Sequence, residues 1–210
     1  MPNIFDLFNK IKTTESDSAR SALPVTHIVA GLGNPGDKYA QTRHNAGFMC
    51  IDYISQKLNF RVSRTRFSSL CGEAVISEKR ILFLKPQTYM NNSGEAVREA
   101  ADFYKIKPEN IIVISDDINL DCGIIRVKRR GSDGGQKGLR SIGEHLNTSD
   151  FPRIKIGVGM PPPEWDLADW VLGAIPVSER ESVFKCIEAA LPCVELIAAG
   201  DIDGAMGRYN

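Results

Sequence analysis

The chain lacks the features that mark several protein classes. It has no apolar run near the ~18 residues that a membrane span requires, so no membrane partner is expected. A secretory leader is not expected either, because Asp6, Lys10 and Lys12 interrupt the apolar residues of the first segment. The five cysteines, at 50, 71, 122, 186 and 193, form no CxxC pair. An odd, scattered set points to reduced thiols that pack as small core residues, and hence to a cytoplasmic protein. With three histidines and no close Cys/His cluster, a zinc site is not expected, nor is any other metal or cofactor. Charge of one sign is missing too: 26 Lys and Arg balance 26 Asp and Glu, so any basic surface must be local. Internal repeats are absent.

What remains is ordinary in bulk and specific in detail. At 210 residues, 42% hydrophobic and 25% charged, the chain is long enough to build one core without staples. Residues 1–24 read as an N-terminal extension that ends in the polar stretch TTESDSARS and Pro24 and suits a mobile tail. Ile4, Phe5, Leu7, Phe8 and Ile11 could there form a short amphipathic helix. Residues 25–210 read as the folded domain. VTHIVAGL is a strand, and NAGFMCIDYISQKL a helix with Asn45 as its cap. EAVIS and ILFLK form a hairpin, and SGEAVREAADFYKI is a helix opened by Asn92 or Ser93. NIIVISD, GIIRVKR and RIKIGVG are further strands, with the helix LRSIGEHL before the last of them. Ser178-x-x-Glu181 forms a capping box on a final helix that Pro192 kinks and Gly200 ends. This order predicts an α/β fold: a single three-layer α/β/α domain on a mixed, mostly parallel sheet.

Chemistry concentrates in GLGNPGDKYAQTRHNAG, residues 31–47. Gly31, Gly33 and Gly36 satisfy the dinucleotide pattern after a strand, with Asp52 about 20 residues on. Pro35 and the polar run after Gly36 argue against a phosphate-binding helix there; the turn serves better to expose Asn34 at a strand's carboxyl end. His27, in an apolar strand, and His145, on a charged helix, read as structural. His44 sits in a polar loop between Arg43 and Asn45, and as a neutral imidazole it is suited to take a proton from water. The strand ending in Asp116–Asp117 supplies an orienting carboxylate; Asp116 is the candidate and Asp117 reads as a solvated turn residue. In TYMNNSG, Asn91 is placed to join Asn34 in gripping a carbonyl. Arg126, Lys128, Arg129, Arg130, Lys137 and Arg140 crowd 124–140 beside the single acid Asp133. With Lys155 on the next strand, they form a candidate polyanion footprint without stacking aromatics.

Taken together, GLGNPG–Y–TRHNAG, TYMNNSG, the S-D-D strand end and GSDGGQKGL resemble the bacterial peptidyl-tRNA hydrolases over about residues 25–205. The resemblance implies cleavage of the ester between a peptide and the 3′ adenosine ribose of tRNA, which frees both for reuse in translation. It makes His44 the general base, Asp116 its partner, and Asn34 and Asn91 the amides that position substrate and water. Tyr39 falls where the family lines its site near the tRNA end, Met90 matches an apolar wall, and Lys128 and Lys155 match phosphate contacts. The expected partner is the acceptor stem and 3′ end of peptidyl-tRNA, bound by a monomer. Three departures stand out. Asp133, Gln136 and Lys137 occupy positions that read His, His and Asn in well-known members, so that Lys137 can only donate. The lid segment 160–170 carries Glu164 and Asp166 where basic residues are common, with Trp165 beside them. The extension 1–24 is absent from the shortest members. Two readings of other classes stay open: an RNA-binding relative without catalysis, and a nucleotide-dependent oxidoreductase on the glycine turn.

Overall fold

The computed structural model describes residues 23–210; the extension, apart from Leu23 and Pro24, and its proposed amphipathic helix lie outside them. Seven strands form one sheet in the order β2-β3-β4-β1-β5-β7-β6. They are β1 (Val25–Gly31), β2 (Arg64–Arg66), β3 (Ser69–Ile76), β4 (Lys79–Pro86), β5 (Ile111–Asp117), β6 (Ile125–Lys128) and β7 (Arg153–Gly157). The four central strands, β4, β1, β5 and β7, run parallel. Antiparallel pairings of β2 with β3, β3 with β4 and β6 with β7 complete the margins. The mixed α/β sheet expected from the sequence is therefore present, including the hairpin.

Alternation along the central strands builds two cores, as the twofold strand period dictates. Val29, Phe83, Ile112 and Ile114 face one side, where helices α1 (Ala46–Lys57), α5 (Val177–Ala198) and α6 (Ile202–Tyr209) cover them. Ile28, Ala30, Leu82, Leu84, Ile111 and Val113 face the other, under α2 (Ser93–Tyr104) and α3 (Lys137–Leu146). Nearly all these side chains are fully buried, and each Val, Leu, Ile or Phe contributes about 1.5–3 kcal/mol of transfer free energy. A short helix, α4 (Leu167–Leu172), lies over the carboxyl end of the sheet.

Two glycines decide how closely β1 and α1 approach. A Cβ on Gly31 would collide with the Gly47 carbonyl, and one on Gly47 with the Leu32 amide and the Ile114 carbonyl. The glycine turn is thus a packing device that draws α1 onto the strand ends. No α-helix opens at Gly36; a single 3-10 turn, Asp37–Tyr39, follows instead. The dinucleotide reading loses its physical basis there.

The structure corrects several helix boundaries. Asn45 and Asn92 stand at the starts of α1 and α2 but donate or accept no capping bond. The expected box at Ser178 and Glu181 is not formed, because Pro176 starts α5 early and places Ser178 inside its first turn. Glu181 instead pairs with Lys185 at 2.9 Å. Pro192 lies within α5 as expected, and Gly200, at φ 93°, follows its end. Helix α6 was not anticipated: Gly204 and Gly207 weaken its sequence signal, and Asp201 rescues it by accepting from the Gly204 N–H at 2.8 Å. Among the described residues, no helix is long and apolar enough to cross a membrane.

Candidate active site

The carboxyl ends of β1, β4 and β5 open into a cavity of about 690 Å³, lined among others by Asn34, Tyr39, His44, Tyr89, Met90, Asn91, Asp116, Gln136 and Lys137. This is the crevice at which open α/β sheets hold their ligands. Helix α4 contributes Leu167, Ala168, Val171 and Leu172 to one wall.

His44 and Asp116 meet across 72 residues of sequence. His44 Nδ1 lies 2.8 Å from Asp116 Oδ2. A carboxylate only accepts, so the neutral ring must carry its proton on Nδ1 and leave the lone pair of Nε2 free. No protein group among the described residues takes Nε2, and the ring lines the cavity. Asp116 is only 2% exposed. A buried carboxylate needs partners, and a second one is present: Gln136 Nε2 donates to Asp116 Oδ1 at 3.0 Å.

Asn34 is fixed by reciprocal amides. Asn45 Oδ1 accepts from the Asn34 N–H at 2.9 Å, and Asn45 Nδ2 donates to the Asn34 carbonyl at 3.0 Å. This task, and not helix capping, is what Asn45 performs. Asn34 Oδ1 in turn accepts from the Met90 N–H at 2.9 Å. That bond orients the amide, so that the Nδ2 donor is free of protein partners among the described residues and open to a ligand. Asn91 lines the cavity at an exposed position, with Nδ2 donating to Asn92 Oδ1 at 3.0 Å. The two asparagines share the cavity as expected.

Arg43, the neighbour of His44, is not part of the cavity wall. Its guanidinium stacks 3.7 Å from the Trp170 ring centroid and pairs with Glu179 at 3.1 Å. Nη1 also donates to the Ala174 carbonyl at 3.2 Å. Arg43 therefore ties the histidine loop to the segment carrying α4. Asp166, one of the acidic lid residues, is the N-cap of that helix and accepts from the Ala168 and Asp169 N–H groups. Trp165 packs edge-on against Trp170 at 5.8 Å.

The basic positions divide. Lys137 lines the cavity. Lys128 lies opposite Arg153 at the far end of β6, away from the cavity. Arg129 pairs with Asp203 at 2.6 Å and Arg140 with Asp133 at 3.4 Å. Lys155 pairs with Asp117 at 2.6 Å, which corrects the reading of Asp117 as a solvated turn residue. Asp117 is buried, and it also accepts from the Asn119 N–H and side-chain amide. Burial pushes its carboxyl up, but hydrogen bonds from Lys155 and Asn119 and the lysine's charge outweigh this and hold it below the usual carboxylate range. A depressed folded-state value means that the pair stabilises the fold above that range and that the contribution drains away as pH falls through the folded value. Lys155→Met is expected to cost about 3 kcal/mol near neutral pH, because it leaves a buried charge unpaired. Urea melts measure this, and the gap from wild type should shrink on acidification.

The other titratable groups play no part in the cavity. His27 bonds to Thr26, and His145 to the Ser141 carbonyl at 2.8 Å, as structural histidines do. The five cysteines are free. Burial pushes the Cys71 and Cys186 thiols up to about 11 and Cys193 to about 12. Among the described residues, no group of three or more His, Cys, Asp or Glu side chains is arranged to hold a metal.

Sequence reasoning missed Gln136 as a site residue, seeing it only as a departure from a histidine. The available signal was its place at the end of a glycine loop, just before a helical period.

The sequence profile of the peptidyl-tRNA hydrolases matches residues 28–210. Peptidyl-tRNA hydrolase of Caldicellulosiruptor bescii is 47% identical over 184 residues, 88% of this chain and 96% of that protein. The Clostridium botulinum (Alaska E43) enzyme is 50% identical over 183 residues, 87% of this chain and 95% of that protein. The crystal structure of peptidyl-tRNA hydrolase from Acinetobacter baumannii superposes with a TM-score of 0.84 at 36% identity, covering 90% of this chain and 96% of that one. Fold and relatives together make this protein a hydrolase of the ester-cleaving class. The chain belongs to the peptidyl-tRNA hydrolase family.

Proposed function

We propose that the protein cleaves the ester joining a peptide to the 3′ ribose of tRNA by direct attack of water, with His44 as general base. The observation that carries this reading is the 2.8 Å bond from His44 Nδ1 to Asp116, which leaves Nε2 open to the cavity. Water gives a proton to Nε2 as its oxygen bonds to the ester carbonyl carbon. Asp116 stabilises the imidazolium that results. The tetrahedral oxyanion then collapses, the bond to the ribose oxygen breaks, and that oxygen takes the proton back from Nε2. Free tRNA and the peptide acid leave, and the acid loses its proton to solvent. Asn34 Nδ2, Asn91 and the Lys137 ammonium supply donors for the carbonyl oxygens of the ester and of the preceding peptide bond. Tyr39 and Met90 form the walls against which the 3′ end packs.

Lys137 is the basic group at the cavity itself, whereas Lys128, at the far end of β6, and Arg130, near the amino ends of the central strands, would meet acceptor-stem phosphates only at a distance from the ester. Lys155, held by Asp117, serves the shape of the binding surface before its charge. We read the protein as a cytoplasmic monomer, because the base, its carboxylate and the cavity's donors are complete within one chain and the five cysteines are scattered with no CxxC pair.

The discriminating substrate pair is N-acetylaminoacyl-tRNA and free aminoacyl-tRNA. The carboxylates of Asp116, Asp117 and Asp166 that line the cavity are engaged within the protein, so the preference rests on the donors of Asn34, Asn91 and Lys137, which pair with an amide carbonyl that free aminoacyl-tRNA lacks. We expect kcat/KM for the blocked substrate to be larger by at least about 10²-fold, short of the roughly 10⁴–10⁵ that a fully hydrogen-bonded site can reach. Equal cleavage of both would refute this arrangement of donors.

A further inference from the structure

We propose that Gln136 is a positioning residue that holds the Asp116 carboxylate in the orientation from which it receives the His44 Nδ1–H and so keeps Nε2 aimed into the cavity. The proposal rests on the His44–Asp116 reading above and adds to it a residue with no assigned role. Gln136 is buried at the N-cap of α3, and its two side-chain ends have separate partners. Oε1 accepts from the Leu139 N–H at 2.8 Å. A backbone N–H demands an oxygen, so this bond settles the orientation of the amide. Nε2 must then be the end that meets Asp116 Oδ1, at 3.0 Å, with Met90 Sδ at 3.2 Å. Both carboxylate oxygens are thus held, one by Gln136 and one by His44.

The choice of residue type supports this role. Helix N-caps favour Ser, Thr, Asp and Asn, whose short side chains reach the second or third amide. Glutamine is not in that set. What its longer arm adds is a second group, an N–H donor that reaches across to β5 while the oxygen still caps. The bond also brings the positive end of α3 toward an anion, a favourable placement. The nearest other charges are committed elsewhere or lie on the cavity side: Asp117 with Lys155, Arg43 with Glu179, and Lys137 on the first turn of α3.

A positioning role makes a prediction that a capping role does not. In Asp116→Asn, the Gln136 donor selects the asparagine oxygen and turns the asparagine NH2 toward His44 Nδ1. The ring proton must then sit on Nε2, and the base is lost. In Asp116→Asn/Gln136→Glu, the carboxylate at 136 accepts from the asparagine NH2 and still caps Leu139. The asparagine oxygen now faces His44 Nδ1–H, and Nε2 is free again. Gln136→Glu alone sets two carboxylates against each other, an arrangement in which both cannot stay ionised.

The test measures kcat and KM on N-acetylaminoacyl-tRNA for wild type, Gln136→Ser, Gln136→Glu, Asp116→Asn, Asp116→Asn/Gln136→Glu and His44→Ala. Gln136→Ser, which keeps a capping oxygen but cannot reach Asp116, should lose about 10-fold in kcat with KM unchanged. Gln136→Glu should lose about 10²-fold, the scale of a misplaced catalytic group. The double variant should exceed Asp116→Asn by about 10-fold, a non-additivity expected only of residues in one network. The hydrogen-bonded Nδ1–H proton resonance of His44 should vanish in Asp116→Asn and return in the double variant. If His44→Ala is inactive while Gln136→Ser and Gln136→Glu turn over like wild type, or the double variant is no better than Asp116→Asn, the role of Gln136 is overturned. An active His44→Ala would instead refute the dyad itself.

Discussion

His44→Ala is expected to lower kcat on N-acetylaminoacyl-tRNA by about 10²–10⁴-fold, the usual contribution of a general base. Affinity for uncleaved tRNA should change little. Arg43 anchors the loop independently, through its stack on Trp170, its ion pair with Glu179 and the bond from its backbone N–H to the Gly173 carbonyl at 3.1 Å. Removing the neighbouring ring therefore leaves the loop and the basic surface in place. Single-turnover cleavage at saturating enzyme separates the two effects. A variant that bound poorly but cleaved at the wild-type rate once bound would show His44 to be a binding residue instead.

Asp116→Asn should be nearly as damaging, although it changes one atom. Replacing a triad aspartate by asparagine in a serine protease costs about 10⁴-fold in kcat by imposing the wrong histidine tautomer. The same logic applies here with a visible cause, since the Gln136 donor is already fixed by its cap to Leu139 and admits an oxygen only. Asp116→Ala removes the orienter without imposing a tautomer. It should be less inactive than Asp116→Asn, and comparing their kcat values reads out that difference. Equal loss in both would mean that the carboxylate acts through charge alone.

The sheet was legible because its evidence is local. Runs such as HIVA at 27–30, ILFL at 81–84 and IIVI at 111–114 carry hydrophobicity on both faces, as strands covered by helices must. The hairpin was signalled with them, although its turn falls at Ser77 and Glu78, one residue before the Glu78–Lys79 that the flanking runs EAVIS and ILFLK mark. Helix starts were harder. Asn45, Asn92 and Ser178 all look like caps, yet each N-cap preference is worth only about 1 kcal/mol, and stronger demands prevailed. Asn45 was taken by the Asn34 backbone, and Ser178 was displaced by Pro176.

At the site, the residue types were readable and their pairings were not. A histidine in a polar loop and an aspartate at a strand end announce themselves, but only the parallel pairing of β1 with β5 brings them together. Asp117 shows the limit from the other side. Next to Asp116 in sequence, it looks like a turn residue until Lys155 on β7 is seen beside it. Gln136 was hidden for a related reason: a neutral amide carries no charge pattern, and its function lies wholly in having two partners from different elements. Arg43 looked like a catalytic neighbour and proved to be a strut, because its partners Trp170 and Glu179 lie more than a hundred residues downstream.

The central claim is a proton location, and nitrogen-15 NMR of the imidazole ring of His44 at a pH where it is neutral tests it most directly. The structure predicts a protonated, hydrogen-bonded Nδ1 and an unprotonated Nε2. A ring that carries its proton on Nε2, with Nδ1 bare toward Asp116, would contradict the account.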